Sequence, residues 1–362
     1  MTASPRLNLG EQVARQALVE RPPYIATDAD LDPAFFPGAG PGTVVESPHT
    51  FQSQYFAWID GLRNRAYDPI SPATLESFVS RAKTILSVVG PQTRLETFKN
   101  AAMHKFVEDT KAFGWKPATL AAHILVIKLI VASAVDEEGE QLFPRTWNRR
   151  VINAPRVERT KQKTPTLGRE QVETLIREVK TSQERLLVCV LAGTGLRIGE
   201  ARSIRVQGDN SHTSWDQNTA TVVVRNSLFR NCETGRAKTE AGRRTVYLHS
   251  SLNKMIADFV LKEGRQAGSY LFQTKHGEPI KQSTFRNRLA TIIPGAAPHN
   301  ARRFHITHLR SQRVLEEIIK LRVGHSGQDM TDRYSHQNEE VCRAAIEEAG
   351  LGFDMTFKDI NV

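Results

Sequence analysis

The run Leu186-Leu187-Val188-Cys189-Val190-Leu191-Ala192 is followed by Gly193-Thr194-Gly195-Leu196-Arg197-Ile198-Gly199-Glu200. Seven consecutive apolar residues read as a buried helix, and the Gly-Thr-Gly turn ends it and leads into a new one. Arg197 then lies near a helix N-terminus, where backbone N–H groups and a guanidinium can both face an anion. The Gly-Lys-Ser/Thr ending of a nucleotide phosphate loop is missing. On its own, such a turn specifies little, and a surface arginine is the plain alternative.

Around this stretch, Thr166 to Lys180 repeats a helical pattern with Val172, Leu175, Ile176 and Val179 as its apolar positions. Downstream, Thr219–Arg225 and Arg244–His249 alternate as half-buried strands. The turn-rich, basic stretch Gly235-Arg236-Ala237-Lys238-Thr239-Glu240-Ala241-Gly242-Arg243-Arg244 connects them, and taken alone each of its four cations reads as a solvated turn residue. In Pro298-His299-Asn300-Ala301-Arg302, His299 and Arg302 are three apart and so share one face of a starting helix. Gly324-His325-Ser326 follows, and Tyr334 stands nine residues after His325. Five of the eleven histidines fall within 299–336, which raises a metal site. No acidic residue recurs at ligand spacing, and His305-x-x-His308 is a poor zinc pattern, so no metal is expected.

Taken together and in order, the Gly-Thr-Gly-Leu-Arg-Ile-Gly-Glu segment, the lysine hairpin, His-x-x-Arg, Gly-His-Ser and the following tyrosine resemble the tyrosine recombinase (phage integrase) family across about 165–340. The resemblance implies a mainly α catalytic domain with a small antiparallel β-sheet, preceded by a helical, SAM-like core-binding domain. It implies six catalytic residues. Arg197 and Arg302 grip the non-bridging oxygens of a phosphodiester, Lys238 protonates the leaving oxygen, and His299 and His325 serve the phosphate and its protons. Tyr334 is the nucleophile, and Glu200 supports Arg197. It further implies no metal or nucleotide cofactor, and a cyclic homotetramer on DNA from free monomers or dimers. Asn300 stands where the family commonly has aspartate.

The rest of the chain fits that frame. Residues 1–47, with Pro22-Pro23 and Pro37-Gly38-Ala39-Gly40-Pro41-Gly42, read as a loose arm with one helix near Leu9–Val19. Residues 48–143 read as a helical, DNA-binding bundle. Phe51, Tyr55, Phe56, Ile59 and Leu62 share a face, Ser71-Pro72 opens a second helix, a third runs from about Leu95 to Ala112, and a nearly all-apolar fourth starts at Pro117. In this last helix His123 reads as a covered side chain and Lys128 as a snorkelling one. Residues 144–164 form a linker. Seven cations, Arg145, Arg149, Arg150, Arg156, Arg159, Lys161 and Lys163, stand there against Glu158 alone, and all but Arg145 are taken as candidate phosphate contacts. Residues 165–362 form the catalytic unit with its tail. There Leu351, Phe353, Met355 and Phe357 alternate, and the resemblance favours packing on a neighbouring subunit.

Charge points the same way. The chain carries +10, but 1–47 holds 3 basic against 6 acidic side chains and 339–362 holds 2 against 6, which leaves +17 on the body. Such a body suits a polyanion. Three isolated cysteines, no long apolar span and no leader-like start lead us to expect a cytoplasmic, DNA-associated protein without a membrane partner. The expected activity is site-specific recombination of duplex DNA through a 3′-phosphotyrosine, with accessory DNA-bending proteins admitted as partners. A type IB topoisomerase, a DNA-binding protein without strand transfer and a metal-dependent nuclease remain the alternatives.

Overall fold

Two short polar side chains start the first two helices. Thr50 Oγ1 accepts from the Ser53 N–H (3.2 Å) ahead of α1, Phe51–Arg63. Ser71 Oγ accepts from the Thr74 N–H (3.3 Å) ahead of α2, Pro72–Val89, whose first residue lacks an N–H to satisfy. The computed structural model describes residues 49–67, 69–158, 166–228, 243–324 and 339–354, together with the backbone of 234–236. The chain divides into two compact units, Met1–Thr160 and Lys161–Val362. The arm of 1–47 and its expected helix lie outside the described residues.

In the first unit, α1 and α2 pack with α3, Asn100–Asp109, and α4, Pro117–Ala132, around Phe51, Tyr55, Ile59, Ile85, Phe106, Ile127 and Ile130. The third helix starts five residues later than its pattern suggests, because Leu95–Thr97 forms a 3₁₀ turn. The Arg145 guanidinium donates to Leu95 O, Glu96 O and Phe98 O of that turn. Arg145 therefore fastens the bundle and is not a free phosphate contact. His123 is buried, stacked 4.1 Å from the Trp115 ring and bonded to Thr119 O, while Lys128 Nζ lies 5.7 Å over Trp147. The basic segment is not wholly a linker. Asn148 caps a single helical turn, α5, Arg149–Ile152, whose Ile152 is buried in this core. Arg149, Arg150 and Arg156 are exposed; Arg159, Lys161 and Lys163 fall outside the described residues.

The second unit is built on α7, Ser182–Thr194, every residue of which from Leu186 onward is buried. Around it pack α6, Arg169–Glu178; α9, Ser250–Lys262; and α11, Pro298–Ser311. Burial pushes the Cys189 thiol up to about 12, so it stays protonated. After the one-turn α8, Ile198–Arg202, come β1 (Arg205–Val206), β2 (Ser214–Asp216), β3 (Thr221–Val224) and β6 (Arg244–Tyr247), in that sheet order. The expected β3–β6 hairpin pairing is present, Val222 opposite Val246, but two further strands, β4 (Asn226–Leu228) and β5 (Thr234–Arg236), form a separate antiparallel ribbon between them. The sheet is mixed, because β1 runs parallel to β2. The buried Thr213 hydroxyl accepts from the Arg225 and Asn226 N–H groups, which anchors the loop that brings the chain back alongside β1. Among the described residues the remaining α-helices of this unit are α10 (Gln282–Ile292), α12 (Glu316–Val323) and α13 (Glu339–Ala349). No described helix is long and apolar enough to cross a membrane.

The tail departs from expectation. Leu351 and Phe353 are buried in the core of their own unit, not offered to a neighbour. His308 Nε2 bonds to Ala349 O (2.9 Å), the Ser250 N–H donates to Glu347 (2.9 Å), and Asp354 pairs with Arg169. Met355 and Phe357 lie outside the described residues. Losing two large buried side chains removes both their transfer energy and their packing contacts. Truncation after Gly350 is therefore expected to lower stability by about 4 kcal/mol relative to truncation after Asp354, as read from urea midpoints. Equal midpoints would show that these contacts contribute nothing.

Candidate active site

Arg197 occupies the position just before α8. Its backbone N–H donates to Glu200 Oε2 (2.8 Å), so this group is already satisfied by the protein rather than left for an anion. Its guanidinium donates to Glu200 Oε1 (2.9 Å) and to Gly324 O (3.1 Å), and its side chain remains 47% exposed. Two glycines make the turn feasible. Gly195 has φ +69°, and a Cβ there would come 2.7 Å from His305 Cδ2. At Gly199 a Cβ would meet Leu228 O at 2.6 Å, so only glycine lets α8 lie this close to β4.

Arg302 and His299 project from the first turns of α11, which Asn300 caps by accepting the Ala297 N–H (2.6 Å). Asn300 is fully buried and serves as a helix cap in the place where aspartate is common. Arg302, 2% exposed, donates to Gly195 O (2.7 Å) and Val323 O (2.6 Å), two of its five N–H donors. These bonds fix the plane of the fork. Burial, then the charge of Arg197, lowers Arg302 to about 10, which leaves it cationic at neutral pH. Partial burial, with Arg303, Arg302 and Arg197 adding to it, lowers His299 below its ordinary value, so the imidazole is neutral.

Three guanidiniums converge on the C-terminal turn of α12. Arg244 Nε donates to Arg322 O (2.7 Å), Arg302 to Val323 O and Arg197 to Gly324 O. Cations there complement the negative end of the helix dipole. Behind them, the buried Arg322 donates to His305 Nε2 (2.9 Å), Tyr247 O (2.5 Å) and Gly193 O (3.0 Å). Burial first, then Arg244, lowers Arg322 to about 9. Burial and Arg322 hold His305 well below its ordinary value, and its Nδ1 bonds to Ala192 O (2.9 Å). His305 and His308 therefore serve separate structural bonds. Among the described residues no group of three His, Cys, Asp or Glu side chains could hold a metal.

Arg322→Met would take the donor from two buried acceptors and one partly buried one, each buried loss worth about 1–3 kcal/mol, partly offset by the relief of burying a cation. We expect a net loss of about 3 kcal/mol by urea unfolding. An unchanged midpoint would rule out this bracing role.

The structure thus brings Arg197, Glu200, His299 and Arg302 together, whereas Lys238, His325 and Tyr334 lie outside the described residues. Arg322 is not singled out by sequence, His305 enters there only as half of a poor zinc pattern, and Arg244 reads there as a solvated turn cation, which its 7% exposure and its ion pair with Glu200 overturn. For Arg244 a signal existed: it shares strand parity with the buried Val246 and Leu248, which puts a cation on the inward face of β6.

Residues 165–341 match the phage integrase family model. They belong to that family, the tyrosine recombinases. Solved structures carry the same fold at low identity. The Tn1549 transposon integrase in complex with a circular intermediate DNA superposes with a TM-score of 0.60 at 18% identity, over 83% of this chain and 100% of that one. A lambda integrase tetramer bound to a Holliday junction gives 0.55 at 14%, over 78% and 76%. A lambda integrase dimer bound to a core site gives 0.56 at 16%, over 79% and 77%. No curated protein sequence matches the chain. All the site geometry described above lies in the integrase domain.

Proposed function

We propose that this chain is a site-specific DNA recombinase that cuts and rejoins duplex DNA through a 3′-phosphotyrosine. The observation that carries the reading is the meeting of a tethered Arg302, a half-exposed Arg197 and a neutral His299 within the integrase domain. Two planar forks suit the two non-bridging oxygens of a phosphodiester and neutralise the charge that builds on them during attack. Tyr334 supplies the attacking oxygen. Its O–P bond forms as the bond from phosphorus to the 5′ oxygen breaks. Lys238 gives that oxygen its proton, and His299 and His325 handle the phenol proton. The tyrosyl ester retains the bond energy, so a 5′ hydroxyl from another strand can reverse the step without metal or ATP. Exposed Arg149, Arg150 and Arg156, with Arg159, Lys161 and Lys163, serve the phosphate backbone. Strand exchange uses a homotetramer, the assembly named for lambda integrase on a Holliday junction, with accessory DNA-bending proteins as further partners.

The test is a covalent trap. Nicked duplex fragments of the source replicon are incubated with the protein and then denatured in detergent. The expected product is protein-linked DNA with a free 5′ hydroxyl, unaffected by chelator. Retarded DNA without any linkage would instead favour a binding module. Linkage with sequence-independent relaxation of supercoils would favour a topoisomerase.

A further inference from the structure

We propose that Arg244, at the start of β6, is a positioning residue for strand cleavage, holding Arg197 in its phosphate-gripping orientation through Glu200. This rests on the recombinase reading above. The Arg197 side chain is nearly half exposed, so burial alone does not fix its orientation. What restrains it is the Glu200 carboxylate, which is 5% exposed and accepts from Arg197 at both oxygens. Glu200 is in turn chelated by Arg244, Nη2 to Oε2 at 2.9 Å and Nη1 to Oε1 at 3.2 Å, with the Arg244 side chain only 7% exposed. The third donor of the same fork, Nε, reaches Arg322 O and ties Glu200 to the α12 turn that also receives Arg197. Arg244 therefore joins both restraints on Arg197 in one planar group, which a lysine cannot reproduce.

The same geometry sets a pH signature. Among the described residues, the charges facing Glu200 are Arg197 beside its own helix, Arg244 from β6 and Arg302 from α11. On the other side β4 approaches α8 through Ser227 and Leu228, which carry no charge. Burial pushes the Glu200 carboxyl up, but Arg244 and then Arg197 more than reverse it, so Glu200 is ionised throughout the working range. With Arg244 gone, burial is opposed chiefly by Arg197. The carboxyl then rises, and once protonated it no longer accepts two bonds from Arg197. Cleavage by such a variant must fall more steeply than wild type on acidification.

The experiment measures single-turnover adduct formation on nicked duplex with protein in excess, from about pH 5 to pH 8, alongside DNA affinity and thermal unfolding. For Arg244→Gln we expect about 10²-fold slower cleavage at unchanged DNA affinity, the size of effect a small misplacement of a catalytic group produces. The ratio of its rate to wild type should decline with falling pH, and adding Glu200→Gln should make that ratio level. If Arg244→Gln does not fold, Arg244→Lys decides the matter, since it keeps the cation and one hydrogen bond. It should bind DNA as wild type does and show a level ratio, yet cleave about tenfold slower. Wild-type rates in the lysine variant, or a rate loss in the glutamine variant that follows only its folded fraction, would overturn the proposal. A wild-type chain that forms no adduct overturns the recombinase reading and this one with it, whereas an active wild type with indifferent Arg244 variants overturns this one alone.

Discussion

Tyr334→Phe is expected to abolish the detergent-resistant DNA adduct completely while leaving DNA retardation in gels unchanged. The substitution removes one oxygen and keeps the ring, so the shape of the side chain is preserved while the proposed attacking atom is lost. A phenol with an unperturbed pKa of about 10 is a weak nucleophile at neutral pH and gains reactivity only where cations favour its anion. On the proposed mechanism, such cations are the arginines that converge on the α12 C-terminus. Tyr247 is the control. Its ring packs 4.5 Å from Arg343, and burial followed by the charge of Glu339 raises its pKa, the opposite of what a nucleophile needs. Tyr247→Phe should form the adduct as wild type does. An adduct retained by Tyr334→Phe and lost by Tyr247→Phe would reverse the assignment.

Arg302→Lys should slow adduct formation by about 10²–10³-fold, equivalent to roughly 3–4 kcal/mol, the usual cost of removing one preorganised donor from a developing oxyanion. Lysine keeps the positive charge, so the loss measures the fork. A single ammonium cannot satisfy both Gly195 O and Val323 O and still present paired donors to a phosphate. Arg302→Ala should slow the reaction further and destabilise the domain as well, because both buried carbonyls lose their partner. Comparing the two variants by single-turnover kinetics and urea unfolding separates the chemical role from the structural one. Wild-type cleavage by Arg302→Lys would mean that charge alone suffices there and that the planar geometry is incidental.

Much of this architecture could be read locally. Caps at Thr50 and Ser71, the first-turn prolines of α2 and α4, and the apolar run of α7 depend on bonds or periodicities spanning a few residues. The Arg197–Glu200 and His299–Arg302 pairs are each three apart, so helical geometry alone brings their members together. Where a feature depended on a distant partner, local reading stopped short. Arg145 looked like one more linker cation, yet its acceptors lie 47 to 50 residues back. The tail alternates as a docking strand would, but alternation says nothing about whose core receives Leu351 and Phe353. Likewise no pattern in Arg205–Val206 announces that the strand beside it runs parallel.

The amino-acid order alone therefore settles where the long helices form, which side chains of one helix turn act together, and to which family the domain belongs, because each is a short-range property or an ordered motif. The plane of Arg302, the burial of Arg322 and the bracing of Arg197 through Glu200 by Arg244 come from the fold. Arg302 meets Gly195 across 107 residues, Arg322 meets Gly193 across 129, and Arg244 meets Glu200 across 44. A buried cation must find acceptors wherever packing excludes water, and only the folded chain determines which carbonyls and which carboxylate those are.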